Sequence, residues 1–236
     1  MALLKHTLDR IAWALMAALV LGAAAPPALT PVLAEGSIGG RISAPAVKAK
    51  KRISRAALYR SRLAAKEKDA APRPAPTAAV IVSAHPLSFE VEMSAGGTAR
   101  IEQLNTEFVP HVTAVTPGTP LHFVNQDGIY HNVFSLTPGA RFNIGRKPTG
   151  EVVEQVIERA GKVELFCDIH PQMNAVVLVL DTPYFTRPKP DGTYLLEGLP
   201  AGEYELRLFH PAHDGLVERV VIEEGQALQR DFRLGE

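Results

Sequence analysis

Residues 162–180 read KVELFCDIHPQMNAVVLVL, and this stretch indicates the fold of the chain. Two apolar segments, KVELF and AVVLVL, enclose a loop that contains Cys167, His170 and Met173. Short apolar segments bounded by turn residues are typical of β-strands. A turn at the end of a strand can direct all three side chains toward one point. Pro171 also biases His170 away from the helical backbone region.

Further strand patterns lie on both sides of this stretch. They are TAAVIVSA (77–84), LSFEVEM (87–93), FVPHVTAV (108–115), TPLHFVNQ (119–126) and HNVFSL (131–136). Residues 146–160 fit either a short helix or a strand, and we favour a strand. A second β pattern follows residue 181, with turns at Asp191-Gly192 and Glu224-Gly225. Many short strands separated by Gly and Pro turns predict an all-β sandwich or barrel.

The N-terminus has the order of a secretory signal. Lys5 and Arg10 precede an apolar run at residues 11–25, and small residues and prolines follow. We expect cleavage after Ala34, although residues 23–25 also offer small side chains. The alternative is an uncleaved anchor helix, but this apolar run is short of the ~20 residues that span a bilayer. The sequence therefore predicts export to the periplasm, with no stable membrane span after cleavage.

A net charge of zero hides an uneven distribution. Residues 35–73 hold 11 basic and 3 acidic residues, whereas residues 74–236 hold 12 basic and 21 acidic residues. No aromatic-interleaved motif accompanies the basic run, so we expect no nucleic-acid binding. A solvated linker, or a strip that docks on an acidic surface, fits better. The predicted domains are a signal peptide (1–34), a first strand plus a basic insertion (35–76), a main β domain (77–181) and a C-terminal β unit (182–236).

Cys167 is the only cysteine, which excludes several classes of protein. A monomer with one cysteine has no internal disulfide, four-cysteine zinc site, Cys-x-x-Cys redox pair or c-type haem attachment. The chain also lacks G-x-S-x-G, P-loop and H-E-x-x-H motifs, and it has no G-x-G-x-x-G in a strand–helix context. We therefore expect that the chain is not an enzyme by itself.

The loop after KVELF offers thiolate, imidazole and thioether donors at positions i, i+3 and i+6. One thiolate, two imidazoles and a weak axial Met describe a type 1 copper site, so a second imidazole is required. His131 is the candidate, because it opens the strand HNVFSL and can lie at the same end of a sandwich. His122 is the reserve candidate. The sequence predicts one copper ion, and its predicted ligands are His131, Cys167, His170 and Met173.

The combination of FVNQDGIYHN with GKVELFCDIHPQM resembles the cupredoxins, the family of plastocyanin- and amicyanin-like blue copper proteins. The short Cys-x2-His-x2-Met spacing is similar to that of amicyanin. The resemblance covers roughly residues 101–180, and more loosely residues 36–100. It implies a Greek-key β-sandwich with a type 1 copper ion on the same four residues. It also implies that the side chain of Asn132 holds the cysteine loop in place.

The C-terminal part has a resemblance of its own. Residues 191–210, DGTYLLEGLPAGEYELRLFH, resemble carboxypeptidase regulatory-like and transthyretin-like β domains, which implies a small β-sandwich-like unit. The whole arrangement is similar to exported, plastocyanin-like proteins of the methylamine-utilisation type. The basic insertion is longer than a plain cupredoxin needs.

Other interpretations of these residues compete with copper. A lone cysteine is usually a small buried hydrophobe. Structural zinc seldom takes methionine as a ligand. A Cys–His nucleophile pair is conceivable, but no orienting residue or oxyanion signature accompanies it. The remaining histidines are expected to be packed or solvated, and His85 is expected to be solvated near a turn.

The resemblance implies a one-electron carrier in which His170 is the partly exposed edge that electrons cross. Its partner would be another redox protein in the periplasm or envelope. The alternative is a copper-binding, assembly or envelope interaction module without an electron-transfer role. A third hypothesis is an adhesion-like β module whose copper site has decayed, but the presence of all four ligands argues against it.

Overall fold

The computed structural model describes residues 34–43 and 76–235. The predicted signal peptide and basic insertion lie outside these ranges, except for their last residues, Ala34 and Pro76. The described residues form 17 strands and one short 3-10 helix, Pro76–Ala79, without any α-helix. None of their helices has the length and apolar character that crossing a membrane requires. The prediction of an all-β chain is confirmed.

Residues 99–179 form two facing sheets, which we call the central sandwich. Its strands are β3 (Ala99–Leu104), β4 (Glu107–Val109), β5 (Val112–Val115), β6 (Pro120–Asn125), β7 (Phe134–Ser135), β8 (Phe142–Asn143), β9 (Val152–Val156), β10 (Gly161–Phe166) and β11 (Asn174–Val179). One sheet has the order β4-β3-β6-β9 and the other the order β5-β11-β10-β7-β8. Strands distant in sequence are neighbours, so the chain crosses between the sheets in the Greek-key manner.

Alternation along the strands places the core between the two sheets. In β10, Val163 and Leu165 point inward and are buried, while Lys162 and Glu164 point outward and form an ion pair of 2.8 Å. Successive side chains of a strand face opposite sides of its sheet, so the apolar set of β10 fixes its register against β11. Cys167 continues the strand into the same apolar cluster.

Strands from both ends of the described chain form a second structure, which we call the terminal sandwich. Its strands are β1 (Gly36–Ser43), β2 (Ile81–Pro86), β12 (Phe185–Thr186), β13 (Thr193–Leu199), β14 (Gly202–His210), β15 (His213–Ile222), β16 (Ala227–Gln229) and β17 (Phe232–Arg233). One sheet has the order β13-β1-β16, with β17 also paired to β1, and the other has the order β12-β2-β14-β15. Apolar residues from both sheets form one buried cluster.

The predicted domain boundaries at residues 77 and 182 stay predictions, but strand pairing crosses them. The strand β1 pairs with β13, β16 and β17, all of which follow residue 182. The strand β2 pairs with β12 and β14. The first two described strands therefore join the C-terminal β unit rather than the sheets of the central sandwich.

Several predicted strands differ in the structure. The predicted strand 77–84 begins with the 3-10 helix Pro76–Ala79, and of the predicted strand 131–136 only Phe134–Ser135 form a strand. Residues 87–93 alternate in sequence but form no strand, and the ring of Phe89 instead packs edge-on against Tyr204 with centroids 5.6 Å apart. Residues 108–115 are divided between β4 and β5 around Pro110. The strand favoured within residues 146–160 is present as β9. An alternating sequence can therefore reflect side chains that pack on a neighbouring sheet, even where the segment has no partner strand.

A third apolar cluster joins the two sandwiches. It contains Ile81 from β2, Val112 from β5, and Val176 and Leu180 in and after β11. Polar contacts flank this cluster: the guanidinium of Arg187 donates to the backbone oxygens of Ala78 and Val112. The outer face of the β5–β11 pair is therefore covered by the terminal sandwich.

His85 also lies at this junction, and the expectation that it is solvated is wrong. Its imidazole is buried between Asp181, at 2.8 Å from Nδ1, and the hydroxyl of Ser83, at 3.0 Å from Nε2. These are Ser–His–Asp triad distances, but Ser83 is only 3% exposed and so cannot meet a substrate. The group links the two sandwiches, because His85 belongs to β2 of the terminal sandwich and Asp181 lies two residues after the last strand of the central sandwich.

Candidate metal centre

The loop between β10 and β11 is closed by its own backbone. The amide of Cys167 donates to the carbonyl of Met173 at 3.3 Å, and the amide of Met173 donates to the carbonyl of His170 at 2.9 Å. These hydrogen bonds fold residues 168–172 into a compact turn across the end of the sheet. Cys167 and Met173 are thereby held directly at strand ends, with His170 in the closed turn between them, which favours a defined geometry.

His131 is brought to the same end by a different segment. It forms an isolated β-bridge with Lys147, with backbone hydrogen bonds of 3.2 and 2.7 Å. The side-chain amide of Asn125, at the end of β6, donates to the carbonyls of Ile129 and Lys147. The segment that carries His131 is therefore fixed from both sides, and its imidazole is fully buried.

Three of the four predicted ligands present their donor atoms to one point. Nδ1 of His131 lies 3.1 Å from Nδ1 of His170, and Sγ of Cys167 lies 4.0 and 3.9 Å from these two nitrogens. A point equidistant from the three atoms lies about 2.1 Å from each, close to the ~2.0–2.3 Å of metal–nitrogen and metal–sulfur bonds. The donors therefore fit a single transition-metal ion.

Met173, the fourth predicted ligand, has a buried side chain in the same apolar cluster as Cys167. His131 and Cys167 are also buried, whereas His170 is partly exposed. The group is thus covered on the core side and reaches solvent through one imidazole. Soft sulfur donors with two imidazoles are the set that copper prefers, and the chemistry of the residues fits that ion.

A hydrogen-bond chain fixes the imidazoles in the metal-free protein. The carboxylate of Asp127 lies 2.7 Å from Nε2 of His131, and a carboxylate only accepts, so Nε2 donates. A neutral imidazole that donates through Nε2 has a free electron pair on Nδ1. Nδ1 of His170 faces this electron pair at 3.1 Å. The lone pair of His131 already points to the place where a metal would bind.

Asp127 is itself held by its surroundings. The backbone amides of Asn105 and Thr106 donate to its two oxygens at 2.6 and 2.8 Å. Burial alone would raise the pKa of the Asp127 carboxyl. The hydrogen bonds from Thr106, His131 and Asn105 outweigh that effect and lower its pKa below the ordinary 3.8. Asp127 is therefore an anion at neutral pH.

The sequence predicted no role for Asp127, although this residue lies within the segment FVNQDGIYHN. A signal was present, since a histidine that ligates a metal usually donates its second N–H to a carboxylate or carbonyl. A carboxylate four residues before the predicted ligand His131 was the obvious candidate. Its two amide donors were not predictable, because they come from a turn 21 and 22 residues earlier.

Asn132, the residue after His131, is buried, and its side chain was predicted to hold the cysteine loop in place. Its backbone oxygen accepts a hydrogen bond from Gln103 at 3.1 Å. Its side-chain oxygen, Oδ1, has no hydrogen-bond partner. The role of the Asn132 side chain in holding the cysteine loop stays a prediction.

The reserve candidate and the exposed methionine lie outside the group. His122 faces outward on β6, where its Nε2 lies 3.1 Å from the carboxylate of Glu154. Met93 is 39% exposed in the segment before β3. Among the described His, Cys, Asp and Glu residues, His131, Cys167 and His170 form the one cluster with the spacing of a metal site.

Comparisons with known proteins identify cupredoxins among the structures that resemble part of the chain. A purple cupredoxin from Nitrosopumilus maritimus is 24% identical over 35% of this chain and 99% of its own, with a TM-score of 0.32. Amicyanin from Paracoccus versutus is 18% identical over 35% of this chain and 81% of its own, also with a TM-score of 0.32. A copper-containing nitrite reductase from Thermus scotoductus is 20% identical over 47% and 27%, with a TM-score of 0.35.

No family model and no curated protein matches the chain. The resemblance of residues 191–210 to a carboxypeptidase regulatory-like domain stays a prediction. The fold is an all-β sandwich with a second β unit, and its site contains a His–Cys–His group.

Proposed function

We propose that this chain binds one copper ion in a type 1 site and acts as a one-electron carrier. The observation that carries the proposal is the convergence of Sγ of Cys167 with Nδ1 of His131 and His170, beside the buried thioether of Met173. A thiolate, two imidazoles and a weak axial thioether favour copper over zinc, which seldom takes methionine. A copper ion bound there would supply reversible one-electron chemistry.

The residues of the site support electron transfer because they are rigid and buried. His131 is held by its backbone bridge and by Asp127, and Cys167 by the closed loop. Ligands that are fixed before the metal binds limit the rearrangement that a change of oxidation state requires. His170 is the only partly exposed member of the described cluster, so it would be the edge that electrons cross.

The exposed residues that precede His131 support a transient partner. Ile129 and Tyr130 are 47% and 59% exposed, directly before His131. In the cysteine loop, the charge of Asp168 is paired with Arg146 at 3.3 Å. A small apolar area with balanced charge suits a weak redox encounter with another protein. Export to the periplasm, predicted from residues 1–34, is part of the proposal.

The test is a copper titration of the purified chain, followed by visible absorption and EPR. A strong thiolate-to-copper band that saturates at one equivalent, with narrow hyperfine splitting, is the expected result. Cys167→Ser should abolish the band. His122→Gln is the matched control and should keep it, because His122 lies outside the site and pairs with Glu154. A band that survives Cys167→Ser would refute the assignment of the site.

Voltammetry separates the carrier from a copper-binding or assembly module. A carrier gives a reversible one-electron wave and keeps its copper through repeated cycles. A copper form without the thiolate band, or one that loses its metal on reduction, would favour the binding module. Absence of stoichiometric binding would leave Cys167 as a buried core thiol.

A further inference from the structure

Asp127 is the carboxylate next to His131 that neither the motif nor the comparisons explain. We propose that Asp127 is a positioning residue, which fixes the tautomer of His131 and places one part-buried negative charge beside the metal site. The effect of this charge on a bound metal rests on the proposed copper site. The effect on the tautomer of His131 concerns the metal-free protein and does not.

The contacts of Asp127 leave its carboxylate with one orientation. Oδ1 accepts from the amide of Asn105, and Oδ2 accepts from the amide of Thr106 and from Nε2 of His131. The side chain is 12% exposed, so water competes little for these bonds. Charge-assisted bonds of 2.6 to 2.8 Å are stronger than neutral ones. The oxygen that faces His131 is therefore not free to turn away.

The turn that supplies the two amides is unfavourable on its own. Asn105 and Thr106 have φ angles of 54° and 59°, in the left-handed region that residues with a Cβ rarely adopt. Each such residue destabilises the chain unless its surroundings compensate. Here the conformation directs two successive N–H groups at one anion, an arrangement that binds anions well. The turn between β3 and β4 and the carboxylate thus stabilise one another.

Two consequences follow for His131. Its proton is held on Nε2, so Nδ1 is ready to bind a metal without a tautomer change. The negative charge also stabilises the more positive of two metal oxidation states, because a carboxylate that is only 12% exposed is less screened than one in bulk water. Asp127 therefore favours Cu(II) over Cu(I), in addition to orienting the ring.

The tautomer test uses the full chain without metal and needs no copper binding. Nitrogen-15 correlation NMR at a fixed neutral pH distinguishes the Nε2–H and Nδ1–H forms of histidine. We expect His131 to be in the Nε2–H form in the wild type, a mixture of both forms in Asp127→Ala, and recovery of the Nε2–H form in Asp127→Glu. An Nδ1–H form in the wild type, or an unchanged Nε2–H form in Asp127→Ala, would overturn the assignment.

The charge test uses the copper-loaded chain and the variant Asp127→Asn, which keeps an acceptor but loses the charge. We expect the ratio of Cu(II) to Cu(I) affinity to fall at least tenfold, a rise in potential of about 59 mV for one electron. Asp168→Asn is the matched control, because Asp168 is exposed, next to Cys167 and paired with Arg146; we expect less than a threefold change. Equal ratios in wild type and Asp127→Asn would overturn the electrostatic role. Failure of the wild type to bind copper would refute the proposed function and leave the tautomer test intact.

Discussion

Met173 is the predicted ligand whose thioether sulfur distinguishes it from other apolar residues of similar size. Its side chain is buried in the cluster that contains Cys167. We expect Met173→Leu to keep a coloured copper form but to shift its redox potential, because the axial ligand tunes that potential. The swap is close in volume, so the stability loss should stay below about 1.5 kcal/mol. Voltammetry and thermal unfolding measure the two effects.

The control for this substitution is Met93→Leu, at an exposed methionine outside the site. It should change neither potential nor colour. If Met173→Leu and Met93→Leu give the same potential as the wild type, Met173 is only a core residue and the site has three protein ligands.

The predictability of each residue in the site follows from how far its partners lie in sequence. Cys167, His170 and Met173 belong to one loop, so their spacing is visible in the sequence. His131 was found because the ligand set required a second imidazole at a strand end. The amides of Asn105 and Thr106 belong to a turn in another hairpin, and only the fold brings them to Asp127.

At the scale of the element, the glycine-rich start of β1 has a steric reason. A Cβ at Gly40 would lie 1.8 Å from the carbonyl oxygen of Arg230, so the chains could not stay this close. We expect Gly40→Ala to destabilise the fold by at least ~2 kcal/mol, since overpacking against backbone cannot be relieved by a rotamer change. Gly97→Ala is the matched control, because nothing lies within 4 Å of its Cβ.

Chemical denaturation of the two variants measures this difference. Because β1 lies between β13 and the pair β16 and β17, we expect the denaturation midpoint of the Gly40 variant to fall. The free energy of unfolding of the Gly97 variant should stay within ~0.5 kcal/mol of the wild type. Equal midpoints would mean that β1 and the segment at Arg230 are not packed as described.

Strand existence was predictable from the sequence, but strand partners were not. Alternation shows which face of a strand is apolar; it correctly indicated β6 and β10, and a continuous apolar run indicated β11. It carries no information on which apolar strand lies alongside. The pairing of β1 and β2 with strands beyond residue 182 depends on contacts between distant parts of the chain. Residues 87–93 alternate between apolar and polar side chains but form no strand, and Phe89 packs against Tyr204.

At the scale of the whole molecule, the apolar cluster between the sandwiches should couple their unfolding. Ile81 is 2% exposed and contacts this cluster from β2. We expect one cooperative calorimetric transition for the wild type. Ile81→Ala should cost ~2–5 kcal/mol by leaving a cavity at the junction, and it should broaden or split the transition. Val217→Ala, at a 62% exposed position of β15, should leave a single sharp transition.

His85 gives the same junction a dependence on pH. Burial, followed by the nearby Arg207 cation, lowers the pKa of His85 below the ordinary 6.5, and Asp181 opposes both effects. Above pH 6.5 the imidazole is neutral in the folded and unfolded chains, so it adds no pH dependence. Below pH 6.5 the unfolded chain takes up a proton that the folded chain resists, so stability falls as the pH falls.

His85→Gln should flatten this dependence of stability on pH. Asp181→Asn should steepen it, because it removes the group that raises the His85 pKa. Melting temperatures of the metal-free proteins between pH 7.5 and 5 measure both slopes, and equal slopes in all three proteins would contradict a buried neutral His85.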